Sequence, residues 1–259
     1  MRARTLGSVV AAALVAAACG RSGVPQRSTT PVAVSASIGA TSSSPPSSSE
    51  RKDRGTASSG VDAVPNQRYL AMWDRPSEAG ADFVFDARDP DGSGVAPMLI
   101  DGRRTADGQV WIRILLPIRP NGASAWAHLA DVKLVPRNEE IVVDLSERIL
   151  RHYARGELVD RFRVGVGTPA TPTGTGTFYV WQRVPFSNPD QPYGIFALGL
   201  SGFSPVLSDW PGGGRMAIHG TPYASDRGRA VSHGCVRVYN EDVKHLLDVR
   251  LGTPVIIRR

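Results

Sequence analysis

The sequence predicts a mainly β protein, two β-rich regions preceded by a long segment with no fold of its own. Three observations carry that expectation. Between residues 62 and 258 the apolar residues fall in short runs, several of them alternating with polar neighbours at the two-residue period of a half-buried strand. Turn dipeptides punctuate the first of these regions at Asp91-Gly92, Asp101-Gly102, Asp107-Gly108 and Asn121-Gly122. Only one stretch has helical spacing, with Asn240 as its cap and Val243, Leu246 and Leu247 on its buried face.

Taken in chain order, residues 1–19 form an export signal. Met1-Arg2-Ala3-Arg4 is a basic start, and Leu6 to Ala18 is an uncharged apolar run. That run is too short to cross a bilayer comfortably as a permanent helix. Its end, Ala16-Ala17-Ala18-Cys19, resembles a bacterial lipoprotein signal, in which Cys19 is acylated and anchors the mature protein to the membrane. Ordinary cleavage after an Ala-x-Ala site is the alternative. Both place the mature protein outside the cytoplasmic membrane, and the lipidated form faces the cell wall.

Residues 20–61 are dominated by Ser, Thr, Pro and Ala. Such a segment cannot bury enough apolar surface to offset chain entropy, so a disordered tether is expected, lending reach to the folded part of the chain. Residues 62–136 change character. Tyr69-Leu70-Ala71-Met72-Trp73 and Val110 to Leu115 are strand-like, and short strands between turn dipeptides indicate a small β-barrel or sandwich. The stretch from Trp111 through Asn121-Gly122 to His128 resembles a bacterial SH3-like module, for which envelope binding and a packed spacer are both consistent.

Residues 141–258 are again β. Ile141 to Leu145 and Arg148 to Tyr153 suggest a hairpin over Ser146-Glu147. Asp160 to Val166, Thr177 to Trp181, Arg215 to Ile218 and Pro254 to Ile257 follow as strands. From Arg183 to Gly214 the sequence is rich in Pro, Gly and Ser with scattered aromatics, and is expected to be a long irregular loop with work to do.

A formal charge of +6 suits anionic surroundings. Nucleic acid is not the expected partner, because the arginines are scattered and an exported protein seldom meets it. An anionic cell envelope is simpler. The only cysteines are Cys19 and Cys235. A disulfide between them would join a signal-sequence end to a distant folded segment across a tether, a poor staple, so Cys235 is expected to be a lone thiol kept for reactivity.

The residues around it supply the rest of an acyl-transfer site. Ser232-His233-Gly234-Cys235-Val236-Arg237 follows Ile218-His219-Gly220 after a short loop. An imidazole near a cysteine favours formation of the thiolate, the nucleophile of acyl transfer. His233 lies two places from Cys235 along what reads as an extended segment, so it shares that face. His219 ends an apolar strand and approaches from a neighbouring one, the better place for a base that must pass protons between nucleophile and substrate. Gly234 permits close backbone approach and exposes amides suited to an oxyanion hole, to which His233 adds a donor. Two other readings stay open: a metal site of His219, His233 and Cys235, and a structural cysteine among hydrogen-bonded histidines.

His219-Gly220 and Ser232-His233-Gly234-Cys235-Val236-Arg237 resemble the signature of the L,D-transpeptidases with a YkuD-type catalytic domain. Gly165-Val166-Gly167-Thr168, Thr171-Pro172-Thr173-Gly174 and Thr177-Phe178 are similar to that family's strand-and-turn segment. The resemblance implies a β-sandwich-like catalytic domain with one short helix. It implies Cys235 as nucleophile, His219 as general base and acid, and the Gly220 carbonyl orienting the imidazole. His233 and Gly234 would serve the oxyanion, while Arg237, Ser232, Tyr193 and Trp210 would meet substrate, the last two as walls of a cap.

The implied reaction uses no metal or organic cofactor. Cys235 takes the acyl group of a peptidoglycan stem peptide with release of D-alanine, and an amine of a second stem resolves the thioester to a 3→3 cross-link. Carbapenem-type inhibitors are the implied ligands of the same sulfur. Water in place of the amine would make an L,D-carboxypeptidase or cross-link hydrolase. An envelope-binding lipoprotein without catalysis is the reading from another class.

Overall fold

The computed structural model describes residues 60–77, 79–92, 94–209 and 211–259. The export signal, Cys19, nearly all of the tether and Trp210 therefore lie outside the described residues.

The first β region comprises β1 (Gly60–Pro65), β2 (Tyr69–Met72), β3 (Phe83–Asp86), β4 (Met98–Ala106), β5 (Gln109–Leu115), β6 (Ser124–His128) and β7 (Val132–Arg137). Five of these make an antiparallel sheet in the order β6-β5-β4-β1-β7. The β2–β3 ribbon is tied to β6 by paired backbone hydrogen bonds between Trp73 and Trp126. Asp107-Gly108 is the turn its sequence announces, both residues having positive φ (52° and 72°) between β4 and β5. Asp101-Gly102 is not a turn. It lies inside β4 at a bulge, because Gly102 lets the backbone pass close to Arg113 while the pairing continues on either side.

The second region comprises β8 (Glu139–Asp144), β9 (Ile149–Ala154), β10 (Glu157–Arg163), β11 (Val166–Gly167), β12 (Gly176–Pro185), β13 (Phe196–Phe203), β14 (Arg215–Thr221), β15 (Ala230–Ser232), β16 (Val236–Tyr239), α1 (Asn240–Val243) and β17 (Pro254–Arg258). Eight of them form one sheet in the order β10-β9-β8-β17-β12-β13-β14-β16. Its two ends nearly meet. Just past β10, Gly165 exchanges both backbone hydrogen bonds with Arg237 of β16, at 2.8 Å each. The predicted hairpin is β8–β9, and the mainly β expectation holds, with α1 the one α-helical turn among the described residues.

The expected loop between Arg183 and Gly214 is corrected by β13. Phe196–Phe203 is buried along its whole length between β12 and β14. A strand covered on both faces shows an apolar run instead of alternation, and Gly199, Ser201 and Gly202 disguise that run as loop. Phe196 and Phe203 are thus strand residues, and the irregular segments shrink to residues 186–195 and 204–214.

β12 serves two cores. Phe178 and Val180 point into the core of the second region with Leu198, Ile218 and Val236. Tyr179 and Trp181, on the opposite face, pack with Met98, Ile114 and Leu115 of the first region. Period-two alternation along one strand therefore holds both regions together. The phenol of Tyr179 donates to the Leu115 carbonyl at 3.2 Å, and burial pushes its pKa upward, so it stays neutral.

The helix differs in detail from its expectation. Tyr239 occupies the N-cap position, and Leu247 is exposed past the 3-10 turn Lys244–Leu246, while Val243 and Leu246 do reach the core. The Asn240 side chain is used elsewhere, as the site shows.

Candidate active site

The site is assembled on the pair β14–β16, which run parallel with Ile218 opposite Val236 and His219 opposite Arg237. Ile218, Val236 and Val238 fill the core. The pleat then turns Ala217, His219 and Arg237 to the other face, and Cys235, one residue before β16, accepts the Ala217 N–H at its sulfur. His219 is therefore the diagonal cross-strand neighbour of Cys235.

His233 does not share a strand face with the thiol. β15 ends at Ser232 and β16 begins at Val236, and Gly234 between them has φ of 118°. That left-handed glycine turns the chain, leaving His233 exposed and Cys235 half-buried as a free cysteine.

His219 is buried, and its Nδ1 lies 2.7 Å from the Gly220 carbonyl oxygen. A carbonyl only accepts, so Nδ1 carries the proton and Nε2 keeps its lone pair. Burial drives the imidazole down to about 4; the Gly220 hydrogen bond opposes this and the Arg237 charge adds to it. Burial pushes the Cys235 thiol up, only partly offset by the Ala217 N–H and by Arg237. At neutral pH both groups are uncharged, a thiol beside a neutral imidazole able to take its proton.

Ser232, expected among the substrate contacts, faces inward instead. Its buried hydroxyl donates to the Cys235 carbonyl at 2.5 Å and accepts from the Gly234 N–H at 3.1 Å. It braces the nucleophile's turn, and the Gly234 amide is engaged in that brace. The threonine turn supports the same place from outside, with Thr171 Oγ1 and the Thr168 N–H both donating to the Ser232 carbonyl at 3.1 Å. Sequence reasoning singles out this turn but not its carbonyl acceptor.

Arg237 donates from Nη1 to Asp226 at 3.1 Å, and buried Asp226 also accepts from Thr221 Oγ1 at 2.9 Å. The ring centroid of Tyr193 lies 4.9 Å from that of His219, and Phe186 stacks on Tyr193 at 5.9 Å.

Asn240 holds this arrangement, a role its helix-cap appearance conceals. Its Nδ2 donates to the Pro189 carbonyl at 2.9 Å, at the start of the loop that carries Tyr193. Its Oδ1 is wedged against Gly194 and Gly220, where an added Cβ would come within 2.1 Å and 2.6 Å of it. Among the described residues no cluster of three or more His, Cys, Asp or Glu side chains is spaced to hold a metal ion.

The site thus brings a thiol and an imidazole with Nδ1 anchored, the residue types that acyl transfer uses, to neighbouring strands of a nearly closed sheet. Residues 138–257 match the model of the YkuD family, described as the L,D-transpeptidase catalytic domain. Relatives named as L,D-transpeptidase YkuD share 38% identity over 109 residues in Bacillus licheniformis and 33% over 120 residues in Bacillus subtilis. Those matches span 42% and 46% of this chain and 58% and 65% of the relatives, so the chain covers about three fifths of their length. The catalytic domain of the E. faecium L,D-transpeptidase, solved acylated by ertapenem, aligns over 47% of this chain and 97% of that one, with 23% identity and a TM-score of 0.36.

Proposed function

We propose that this protein is an extracytoplasmic peptidoglycan L,D-transpeptidase working through a thioester on Cys235. The observation that carries the reading is His219, a neutral imidazole locked by the Gly220 carbonyl and placed diagonally across from the thiol.

The Cys235 sulfur attacks the carbonyl joining the L-centre of the stem's diamino acid to D-alanine, and its proton passes to His219 Nε2. Oxyanion charge is met by the Cys235 N–H and by His233, since the Gly234 amide is held by Ser232. The tetrahedral species collapses, the C–N bond breaks, and the imidazolium protonates departing D-alanine. An amine of a second stem then attacks the thioester, losing a proton to His219, and the thiol is restored. Tyr193 closes one side over the base and limits access of water. Arg237, fixed by Asp226, offers charge to a substrate carboxylate. Carbapenems, as reactive acyl donors, acylate the same sulfur in this reading. Cys19 lipidation and the tether hold the enzyme at the membrane facing the wall, and the SH3-like module lies toward the envelope.

Intact-protein mass spectrometry with a tetrapeptide-stem donor tests the proposal. The expected result is an adduct on Cys235, free D-alanine, and a dimer when an acceptor amine is supplied, all lost in Cys235→Ala. Turnover to tripeptide alone would reassign the enzyme as a hydrolase, and an active Cys235→Ala protein would end the thioester mechanism.

A further inference from the structure

The hairpin loop between β5 and β6 does more than connect them. It is closed on itself by hydrogen bonds from the Leu116 N–H to the Ala123 carbonyl at 2.8 Å and from the Ala123 N–H to the Pro120 carbonyl at 3.0 Å. From this closed arm two side chains reach some eighty to ninety residues along the sequence into the catalytic domain. Asn121 behaves as a missing strand partner: its Nδ2 donates to the Phe203 carbonyl and its Oδ1 accepts from the Phe203 N–H, both at 2.8 Å. Arg119 donates to three carbonyls, those of Ser204 (3.1 Å), Leu207 (2.9 Å) and Gly213 (2.8 Å).

Two guanidinium groups lie over the aromatic ring of Phe203, that of Arg119 4.8 Å and that of Arg215 4.4 Å from its centroid. Arg215 in turn donates to the Pro117 carbonyl at 3.1 Å. Burial lowers Arg215 to about 10, which still leaves it cationic at neutral pH.

What these bonds hold in place is the wall beside the nucleophile's turn. The Ser204 N–H donates to the Gly214 carbonyl at 2.7 Å, closing the base of the 204–214 segment. The Ser204 hydroxyl accepts from the Val206 and Leu207 amides at 3.3 Å and 3.1 Å. That same oxygen borders Gly234, where an added Cβ would come 3.8 Å from it. A planar guanidinium bonded to several carbonyls fixes them in direction as well as distance, which a lysine cannot do.

We propose that the first β region is part of the construction of the active site. In this role Arg119 and Asn121 are positioning residues that hold Phe203–Leu207 against the turn of Gly234 and Cys235 and so set one wall of the substrate channel. The inference deepens the transpeptidase reading and rests on it only for its kinetic consequence. It assigns the loop a duty that neither envelope binding nor simple spacing requires.

The test uses the full chain and the variants Arg119→Ala, Asn121→Ala and the milder Arg119→Lys. Hydrogen exchange is expected to quicken at least tenfold at the Ser204, Val206 and Leu207 amides in all three, and to stay within twofold in β4, β5, β14 and the part of β13 before Phe203, whose own amide loses its acceptor in Asn121→Ala. Acylation by the tetrapeptide donor is expected to lose tenfold or more in kcat/KM, whereas alkylation of Cys235 by iodoacetamide changes less than twofold, because the thiol and its imidazole are untouched. Unchanged exchange at those three amides in every variant overturns the positioning role. So does a loosened segment with undiminished acylation, or an Arg119→Lys protein with wild-type values. If the parent protein takes no acyl group from the donor, the transpeptidase reading falls, and the exchange measurement still decides whether the arm holds the wall.

Discussion

The buried imidazole of His219 makes a quantitative claim on the pH dependence of stability. In the unfolded chain a histidine titrates near 6.5, whereas burial holds His219 at about 4 in the fold. Above pH 7 both states leave it neutral, and the fold carries no penalty. As the pH falls below 6.5 the unfolded chain binds a proton that the folded chain refuses, so stability is lost progressively until about pH 4 and no further below it. The full difference is worth about 3 kcal/mol, of which about 2.5 kcal/mol is lost between pH 7.5 and 4.5. No discount for solvent screening applies, since the ring is 3% exposed.

His219→Gln removes the titration and keeps a donor for the Gly220 carbonyl. Urea unfolding followed by tryptophan fluorescence at both pH values gives the stability of parent and variant. The excess stability of the parent over the variant is expected to shrink by about 2.5 kcal/mol on acidification. Other groups cancel in that difference. Asp62, for example, is lifted by burial to about 6, so its folded form gains protons first and its contribution rises on acidification in both proteins. A difference that stays flat with pH would mean that His219 is not a buried neutral ring. A difference that grows at low pH would mean that the resting site holds an imidazolium beside a thiolate, and the proton inventory of the mechanism would have to be reversed.

Two further substitutions probe the packing behind the site. Gly194→Ala combines a backbone at φ of 61° with a methyl 2.1 Å from Asn240 Oδ1, whereas Gly212→Ala, at φ of 75°, meets nothing within 4 Å. Thermal denaturation is expected to show a cost of about 1 kcal/mol for Gly212→Ala and about 3 kcal/mol for Gly194→Ala, and equal costs would dismiss the wedge formed by Asn240. Arg137→Met strips the partner, 2.8 Å away, from Asp62, whose side chain is 7% exposed. Urea unfolding at pH 7.5 is expected to reveal a loss of about 3 kcal/mol, smaller at pH 5 where the carboxyl takes up a proton, and largely recovered in the double variant with Asp62→Asn.

Much of the site is legible because its chemistry is written locally. A lone cysteine next to glycine, and a histidine followed by glycine at the end of an apolar strand, single out a candidate nucleophile and a candidate base before any fold is known. Strands with one wet face announce themselves by alternation, as at β10, and Asp107-Gly108 announces its turn. β13 does not, because a strand buried on both faces has no alternation to show, and its glycines imitate a loop. Asn240 reads as a cap because a sequence displays the start of a helix but not what lies beside it. Ser232 reads as a substrate contact because proximity in sequence to Cys235 does not reveal that Gly234 turns the chain between them.

By itself the sequence determined the identities that acyl transfer requires and the β class of the chain, since pleat periodicity, turn residues and reactive side chains are properties of neighbours along the backbone. Only the tertiary structure decided that His219 is buried against the Gly220 carbonyl, that Gly234 turns the chain between His233 and Cys235, and that β12 divides its faces between two cores. Only it decided, too, that Arg119 and Asn121 close on a segment more than eighty residues away. All of this depends on sheet register and burial, and burial depends on chain segments that no local window of sequence brings together.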